Sequence, residues 1–115
     1  MMNTAGLIRG DVVLVEFLFS DESDSKTRPA LVVSAEDYHR SGSEVIIAAI
    51  TSNVSRRLPG DYVVKDWEFA GLIHPSTVNG ILRTVKPARL RRRLGTLRTT
   101  DIDCVDRALR RALAL

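Results

Sequence analysis

The sequence has few of the residues that metal sites and disulfide frameworks need. Its 115 residues include one cysteine, Cys104, and two histidines, His39 and His74. A single thiol forms no internal disulfide, and structural zinc sites draw four ligands from cysteine and histidine. The sequence signatures of P-loop enzymes, dinucleotide-binding enzymes, zinc proteases and serine hydrolases are also absent. We therefore expect a protein that uses neither a metal nor another cofactor.

Long hydrophobic runs are absent as well. No stretch approaches the ~20 apolar residues that a membrane-spanning helix needs. Residues 1–10 lack the charged segment and apolar run of a secretory signal. These observations predict a cytoplasmic protein that does not contact a membrane. Aromatic residues make up only 5% of the chain, but an apolar fraction of 44% is ordinary for a globular protein. The length predicts a single domain over residues 1–115.

Arginine is abundant. Fourteen arginines stand against three lysines, and the formal net charge is +3. Seven basic residues and no acid occur in residues 83–98, whereas residues 20–25, SDESDS, hold three acids and no base. Guanidinium groups form bidentate contacts with phosphate and carboxylate. Either an anionic partner or a genomic preference for arginine explains the excess.

Five apolar stretches bounded by turn residues predict five strands, at residues 10–19, 28–35, 44–52, 61–65 and 77–86. We expect the third strand to be central and Gly80 to mark a bulge in the fifth. Pro29 fits the first position of the second strand, where a missing N–H is tolerated. Ser34 fits the cap of a single helical turn.

Two helices are predicted after the strands. Pro87 suits the first position of a short helix over residues 87–94, which Gly95 would end. Thr99 or Thr100 would cap a final helix with one apolar stripe, formed by Ile102, Val105, Leu109 and Ala112. Short strands with a terminal helix predict a mainly β fold, a small and strongly bent antiparallel sheet or barrel.

Arg28 and Thr51 are the residues most suited to chemistry. The following proline biases Arg28 toward extended geometry, and Thr51 ends the apolar run VIIAAIT. If the second and third strands are neighbours, the two residues lie at one end of the sheet. A guanidinium beside a hydroxyl can hold a phosphodiester and stabilise charge that develops on it. From the residues alone, a surface cation and a strand-end hydroxyl remain the alternative.

The segments RGDVVLVEF, KTRPALVVS and VIIAAITS together resemble the MazF/PemK (Kid) family of toxins from type II toxin–antitoxin systems. The motif AGL…S at residues 70–76, then LRTVKPARL, then LGTL before the terminal helix extend the match from Arg9 onward. The resemblance implies a small SH3-like barrel of the CcdB/PemK/MazF kind with a C-terminal helix. It also implies a homodimer.

The resemblance further implies an endoribonuclease that cuts single-stranded RNA at short sequences without a metal. The family's catalytic arginine and threonine fall on Arg28 and Thr51. The RNA's 2′-hydroxyl would attack the adjacent phosphorus and leave a 2′,3′-cyclic phosphate and a 5′-hydroxyl. Arg28 would stabilise the pentavalent phosphate or act in protonating the leaving oxygen, and the first role fits a guanidinium better because it is a weak proton donor at neutral pH. Thr51 would position the phosphate or the 2′-hydroxyl. The implied partners are single-stranded RNA and a cognate antitoxin protein.

Five further residues are candidate RNA contacts: Lys26, Ser52, Arg56, Arg57 and Arg83. For each one a solvated cation or a backbone-bonded hydroxyl is the alternative. His74 is an acid–base candidate only if it faces the site.

The sequence also departs from the family pattern. The loop between the first two strands, LFSDESDSK, is short and acidic, and the acids usual near IRTIDK are missing from residues 79–86. A non-catalytic module that binds nucleic acid or protein on the same barrel therefore remains the alternative. A gyrase poison is a weaker alternative, because that branch depends on a tryptophan near the C-terminus and this chain ends RALAL.

Overall fold

The computed structural model describes residues 3–18, 25–40 and 42–115. Along the chain they form β1 (Asp11–Leu18), β2 (Ser25–Val32), α1 (Glu36–His39), β3 (Val45–Thr51), β4 (Tyr62–Val63), β5 (Thr77–Val85), β6 (Leu90–Thr96) and α2 (Thr99–Leu113). Short 3-10 turns lie at Thr4–Gly6 and Pro87–Arg89. The predicted mainly β fold with a C-terminal helix is confirmed. Most of the acidic loop, residues 19–24, lies outside the described residues.

The strands form one six-stranded antiparallel sheet in the order β4-β5-β3-β2-β1-β6. β3 is internal, as expected. The register between β3 and β5 shifts between Ala48 and Ile50. This shift falls opposite residues 79–81, so the irregularity expected at Gly80 is present. Neither helix of the described chain has the length and apolar composition needed to cross a membrane.

Two glycines bring the opposite edges of the sheet together. A Cβ on Gly71, in the connection from β4 to β5, would lie 2.3 Å from the carbonyl oxygen of Leu94 in β6. A Cβ on Gly95 would lie 2.4 Å from the carbonyl oxygen of Ala70. The connection therefore packs backbone to backbone on the far edge strand, which curls the sheet toward the predicted barrel.

Each face of the sheet carries its own apolar cluster, because successive strand residues point to opposite faces. One cluster joins the sheet to α2 and to the β4–β5 connection, through residues that include Val12, Leu31, Ile50, Leu72, Val105 and Leu109. The other includes Val13, Val15, Val32, Ile47 and Leu90. The run of apolar residues from Val12 to Val15 in β1 is thus explained by burial on both faces.

The predicted helix over residues 87–94 is wrong. Residues 87–89 form only a 3-10 turn, and β6 follows at once and pairs with β1. Leu90 is completely buried. Arg91 forms an ion pair with Glu16 and Arg93 with Asp11, both on β1. Contacts with β1 override the good helix propensity of arginine and leucine.

Two predictions about the second strand also need correction. β2 begins at Ser25, so Pro29 lies inside it, opposite Leu14 of β1. Pairing with β3 begins only at Ala30, so β2 is paired on one side alone where the proline stands. Ser34 does not cap α1. Its hydroxyl instead accepts a hydrogen bond from the backbone N–H of Ile46 at 3.1 Å.

The start of α2 differs from its prediction. The N-cap residue is Arg98, without a side-chain cap, and both threonines lie inside the helix. Asp101 in the first turn is buried and accepts hydrogen bonds from the Tyr62 hydroxyl and from the backbone N–H groups of Lys65 and Asp66. This carboxylate therefore fastens α2 to β4 and to the connection that follows it. Of the predicted stripe, Val105 and Leu109 are buried.

Candidate active site

Arg28 and Thr51 meet where the pairing of β2 with β3 stops. The last pair on this side is Ala30 with Ala49, and the same register continued by two residues sets Arg28 opposite Thr51. Pro29 has no N–H with which to continue a ladder. The two strands therefore part at this point, which is the last residue of β3 at Thr51 and the middle of β2 at Arg28.

A surface cavity of about 190 Å³ opens between this point of the sheet and the segment before β5. Strands β2 and β3 and the residue after β3 supply one wall, and residues 72–76 supply the other. The lining residues are Thr27, Arg28, Pro29, Ile50, Thr51, Ser52, Leu72, Ile73, His74 and Ser76. The structure thus brings Arg28, Thr51, Ser52 and His74 to one place.

The strand-side wall offers hydrogen-bond donors that are not bonded to any carboxylate of the described residues. Arg28 is exposed and forms no ion pair within residues 3–18, 25–40 and 42–115. The hydroxyl of Thr51 accepts a hydrogen bond from the Asn53 N–H at 3.1 Å. Since a threonine hydroxyl also has one proton to donate, that proton remains available to an anion in the cavity.

The second wall is held firmly by its backbone. The Ser76 hydroxyl is buried and donates to the carbonyl of His74 at 2.7 Å. The Val64 N–H donates to the Ser76 carbonyl at 2.9 Å. Leu72 is buried in the apolar cluster under α2. His74 therefore projects from an anchored segment, although its own side chain is exposed.

The chemistry of the lining is that of an anion site. Among the described residues that border the cavity there is one guanidinium, one imidazole and several hydroxyls, and no Asp or Glu. Such a set can hold a phosphate through charge-assisted hydrogen bonds. It can also stabilise additional negative charge that develops during a reaction at phosphorus.

Arg56 is occupied by a structural contact outside this cavity. Its Nε lies 2.9 Å from Oδ2 of Asp61, whose side chain is 1% exposed. Burial tends to raise the pKa of Asp61, but hydrogen bonds from the Leu58 N–H and from Arg56, together with the charge of Arg56, lower it below its usual 3.8. The pair closes the loop between β3 and β4.

The other predicted RNA contacts are spread over the surface. Of the five, only Ser52 borders the cavity. Lys26 is exposed on β2, opposite Phe17 of β1. Arg57 borders a separate cavity against α2, and Arg83 lies over the ring of Phe17, 5.7 Å from its centroid. Contacts of these residues with RNA stay predictions.

Several lining residues were missed by reasoning from single residues. Thr27, Leu72, Ile73 and Ser76 border the cavity. The motif AGL…S at residues 70–76 covers three of them, so it was the signal that marks the second wall. Its sequence alone does not say which strand end it approaches, because that depends on the packing of Gly71 against β6.

The chain is thus a small β protein with a curled antiparallel sheet and a terminal helix. Its cationic cavity, where β2 and β3 part, is equipped to bind an anion. The family of PemK-like, MazF-like toxins of type II toxin–antitoxin systems matches residues 8–113, and the chain belongs to this family. No curated protein sequence matches the chain significantly.

Solved structures share the fold. An endoribonuclease in complex with its cognate antitoxin from a Mycobacterial species superposes with a TM-score of 0.78 at 19% identity, over 96% of this chain and 97% of that one. The Mycobacterium tuberculosis toxin MazF-mt6 gives 0.71 at 25% identity, over 90% and 97%. A MazE–MazF structure from Deinococcus radiodurans gives 0.76 at 17% identity, over 95% and 97%.

Proposed function

We propose that the protein is the toxin of a type II toxin–antitoxin system and acts as an endoribonuclease on single-stranded RNA at short sequences, without a metal. The observation that carries the proposal is that Arg28 and Thr51 border one cavity whose described lining has no carboxylate. Family membership supports it. So does the likeness in fold to a protein described as an endoribonuclease bound to its cognate antitoxin.

In the proposed reaction the 2′-hydroxyl of the RNA attacks the adjacent phosphorus. The bond from phosphorus to the 5′ oxygen breaks, and the products are a 2′,3′-cyclic phosphate and a 5′-hydroxyl. Arg28 donates hydrogen bonds to the non-bridging oxygens, which carry more negative charge in the transition state than in the substrate. Thr51 donates its proton to a phosphate oxygen and fixes its position. Arg28 does not act as the proton donor, because a guanidinium holds its proton too tightly.

The cavity suits one linkage of a longer chain. Its volume of about 190 Å³ is below the ~300–1,000 Å³ usual for sites that enclose a small molecule. An RNA strand running past the cavity would place one phosphate and its sugar inside and leave its bases outside. Proteins read such bases in single strands, where they are unstacked and accessible.

The proposed partners follow from the same reasoning. Several exposed arginines form no ion pair among the described residues, for example Arg57, Arg110 and Arg111. Such arginines can bind an acidic antitoxin as well as RNA. Exposed apolar side chains at Ile81, Leu113 and Leu115 would be covered in a homodimer. We place this system in the cytoplasm, where its RNA substrate is.

The proposal is tested by cleavage of a defined single-stranded RNA in the presence of a chelator. Wild type is compared with Arg28→Ala and Thr51→Ala, and the ends of the products are identified. Arg40→Ala and Thr100→Ala serve as matched controls, because both residues are exposed and border none of the candidate cavity. Removing one donor to the transition state lowers kcat roughly 10²–10³-fold. Failure of the wild type to cut, or full activity of both site variants, would contradict the proposal.

A second candidate function is a non-catalytic RNA-binding module on the same fold. The absence of the family's usual acids from residues 79–86 favours it, since carboxylates are common general bases. This candidate predicts that wild type retains RNA on a filter without cutting it, and that Arg28→Ala weakens retention. No observation on the described residues favours a gyrase poison.

A further inference from the structure

His74 stands on the wall of the cavity formed by residues 72–76, and Arg28 of β2 and Thr51 of β3 line the other wall. The Ser76 hydroxyl holds its carbonyl at 2.7 Å, and Pro75 restricts the backbone that follows. Its imidazole is exposed at the edge of the cavity. An exposed histidine on a fixed backbone can reach a bound chain without any rearrangement of the fold.

The proposed reaction needs a proton acceptor. The 2′-hydroxyl must lose its proton as its oxygen bonds to phosphorus. Arg28 is protonated throughout, and Thr51 is a hydroxyl with no basicity at neutral pH. Of the described residues that border the cavity, only His74 is of a type that both accepts and releases protons near neutral pH.

We propose that His74 is the general base of the reaction, an inference that rests on the proposed ribonuclease function. A ring nitrogen of neutral His74 takes the proton of the 2′-hydroxyl while the bond from the 2′ oxygen to phosphorus forms. The bond from phosphorus to the 5′ oxygen breaks, and solvent water protonates the departing oxygen. The imidazolium then returns its proton to solvent, which restores the enzyme. Arg28 stabilises the charge on the phosphate meanwhile.

The test compares wild type, His74→Ala and His74→Gln in single-turnover cutting of a defined RNA from pH 5 to 9. A base must be unprotonated to act, so the wild-type rate rises with pH and then levels off. General acid–base catalysis contributes about 10²–10⁴-fold, so we expect both variants to lose at least about 100-fold on the plateau and to lose the rise. Added imidazole restores cutting to His74→Ala in proportion to its concentration.

A second substrate separates the two proton-transfer roles. Replacing the 5′ oxygen at the cut site with sulfur gives a leaving group that departs without a proton. If His74 is the base, its variants remain impaired on this RNA. If the defect disappears, His74 acts as the acid and the inference is overturned.

Two further outcomes keep the inference distinct from the function on which it rests. Unchanged rates and pH dependence in both His74 variants, with Arg28→Ala inactive, would overturn the inference and leave the ribonuclease assignment standing. No cutting by wild type would overturn both. The thermal unfolding midpoint of each variant should equal that of wild type, because the His74 side chain is exposed. The loss of cutting is then a loss of catalysis and not of folding.

Discussion

The arginines of β6 and the arginine of the cavity differ in what surrounds them. Arg91 forms an ion pair with Glu16, and Arg93 places its Nε 3.1 Å from the buried carboxylate of Asp11. Arg28 has no carboxylate partner among the described residues and stands beside hydroxyls. A paired guanidinium must give up its partner before it binds an external anion, whereas Arg28 has no partner to give up among the described carboxylates. The same residue type therefore supports the sheet in one region and is available to a ligand in the other.

The largest expected effect separates these two regions directly. Arg28→Ala should lower kcat roughly 10²–10³-fold and leave the free energy of unfolding within about 0.5 kcal/mol of wild type, because an exposed residue is removed. Arg28→Lys should recover only part of the activity, since lysine lacks the planar pair of donors. Arg93→Ala is the matched variant, because Arg93 is paired with Asp11. We expect it to lower the free energy of unfolding and to leave the cutting rate per folded molecule unchanged. Cleavage kinetics and urea unfolding measure both quantities.

The paired region should show its effect in stability. Asp11 is almost fully buried and accepts hydrogen bonds from the Ile8 N–H at 2.9 Å and from the Thr96 hydroxyl at 2.6 Å, besides its pair with Arg93. Asp11→Ala leaves these donors unsatisfied and should lower the free energy of unfolding by about 3 kcal/mol. Urea unfolding checks this, with the exposed Asp37→Ala as control. A change below about 1 kcal/mol would show that the β6 region is not held by its ion pairs.

The sequence predicted most of the sheet, because burial on both faces leaves continuous apolar runs in β1 and β3. It did not predict β6. The letters PARLRRRL combine good helix formers with an N-terminal proline, and only the partners Glu16 and Asp11 on β1 make this segment a strand. Those partners are some 75 residues or more away along the chain. The local sequence pattern therefore does not show that residues 90–96 form a strand.

The candidate site was predictable in part for a similar reason. Arg28 and Thr51 stand on consecutive strands, so their proximity follows once β2 and β3 pair in the observed register. The placement of His74 follows from a different contact, the close approach of Gly71 to Leu94. Likewise, the sequence does not show that Asp101 is a buried acceptor for the Tyr62 hydroxyl and two backbone N–H groups. Tertiary hydrogen bonds of this kind produce no periodic pattern in the sequence.

A third ion pair, between Arg56 and Asp61, predicts how stability depends on pH. Burial raises the pKa of Asp61, but the Leu58 N–H and Arg56 lower it more, so its net shift is below the usual 3.8. A lowered pKa in the folded state stabilises the protein fully above that usual value, and the contribution disappears as the pH falls below it. Asp61→Asn should therefore cost about 1–2 kcal/mol at pH 7 and progressively less below pH ~4. Urea unfolding of both proteins at pH 7 and pH 3 gives the difference; a constant difference would contradict the role of the charge.

The smallest effect is expected at Arg91, which is paired but 43% exposed in its side chain. Exposed pairs contribute about 0–1 kcal/mol because water and salt screen them, and Glu16 also has Arg89 at 3.5 Å as a second partner. Arg91→Ala should therefore change the free energy of unfolding by less than about 0.5 kcal/mol, and the change should vanish in 1 M salt. Its cutting rate should equal that of Arg40→Ala. If Arg91→Ala instead lowered cutting tenfold without loss of stability, a paired arginine would be contacting RNA, and pairing would no longer distinguish the two regions.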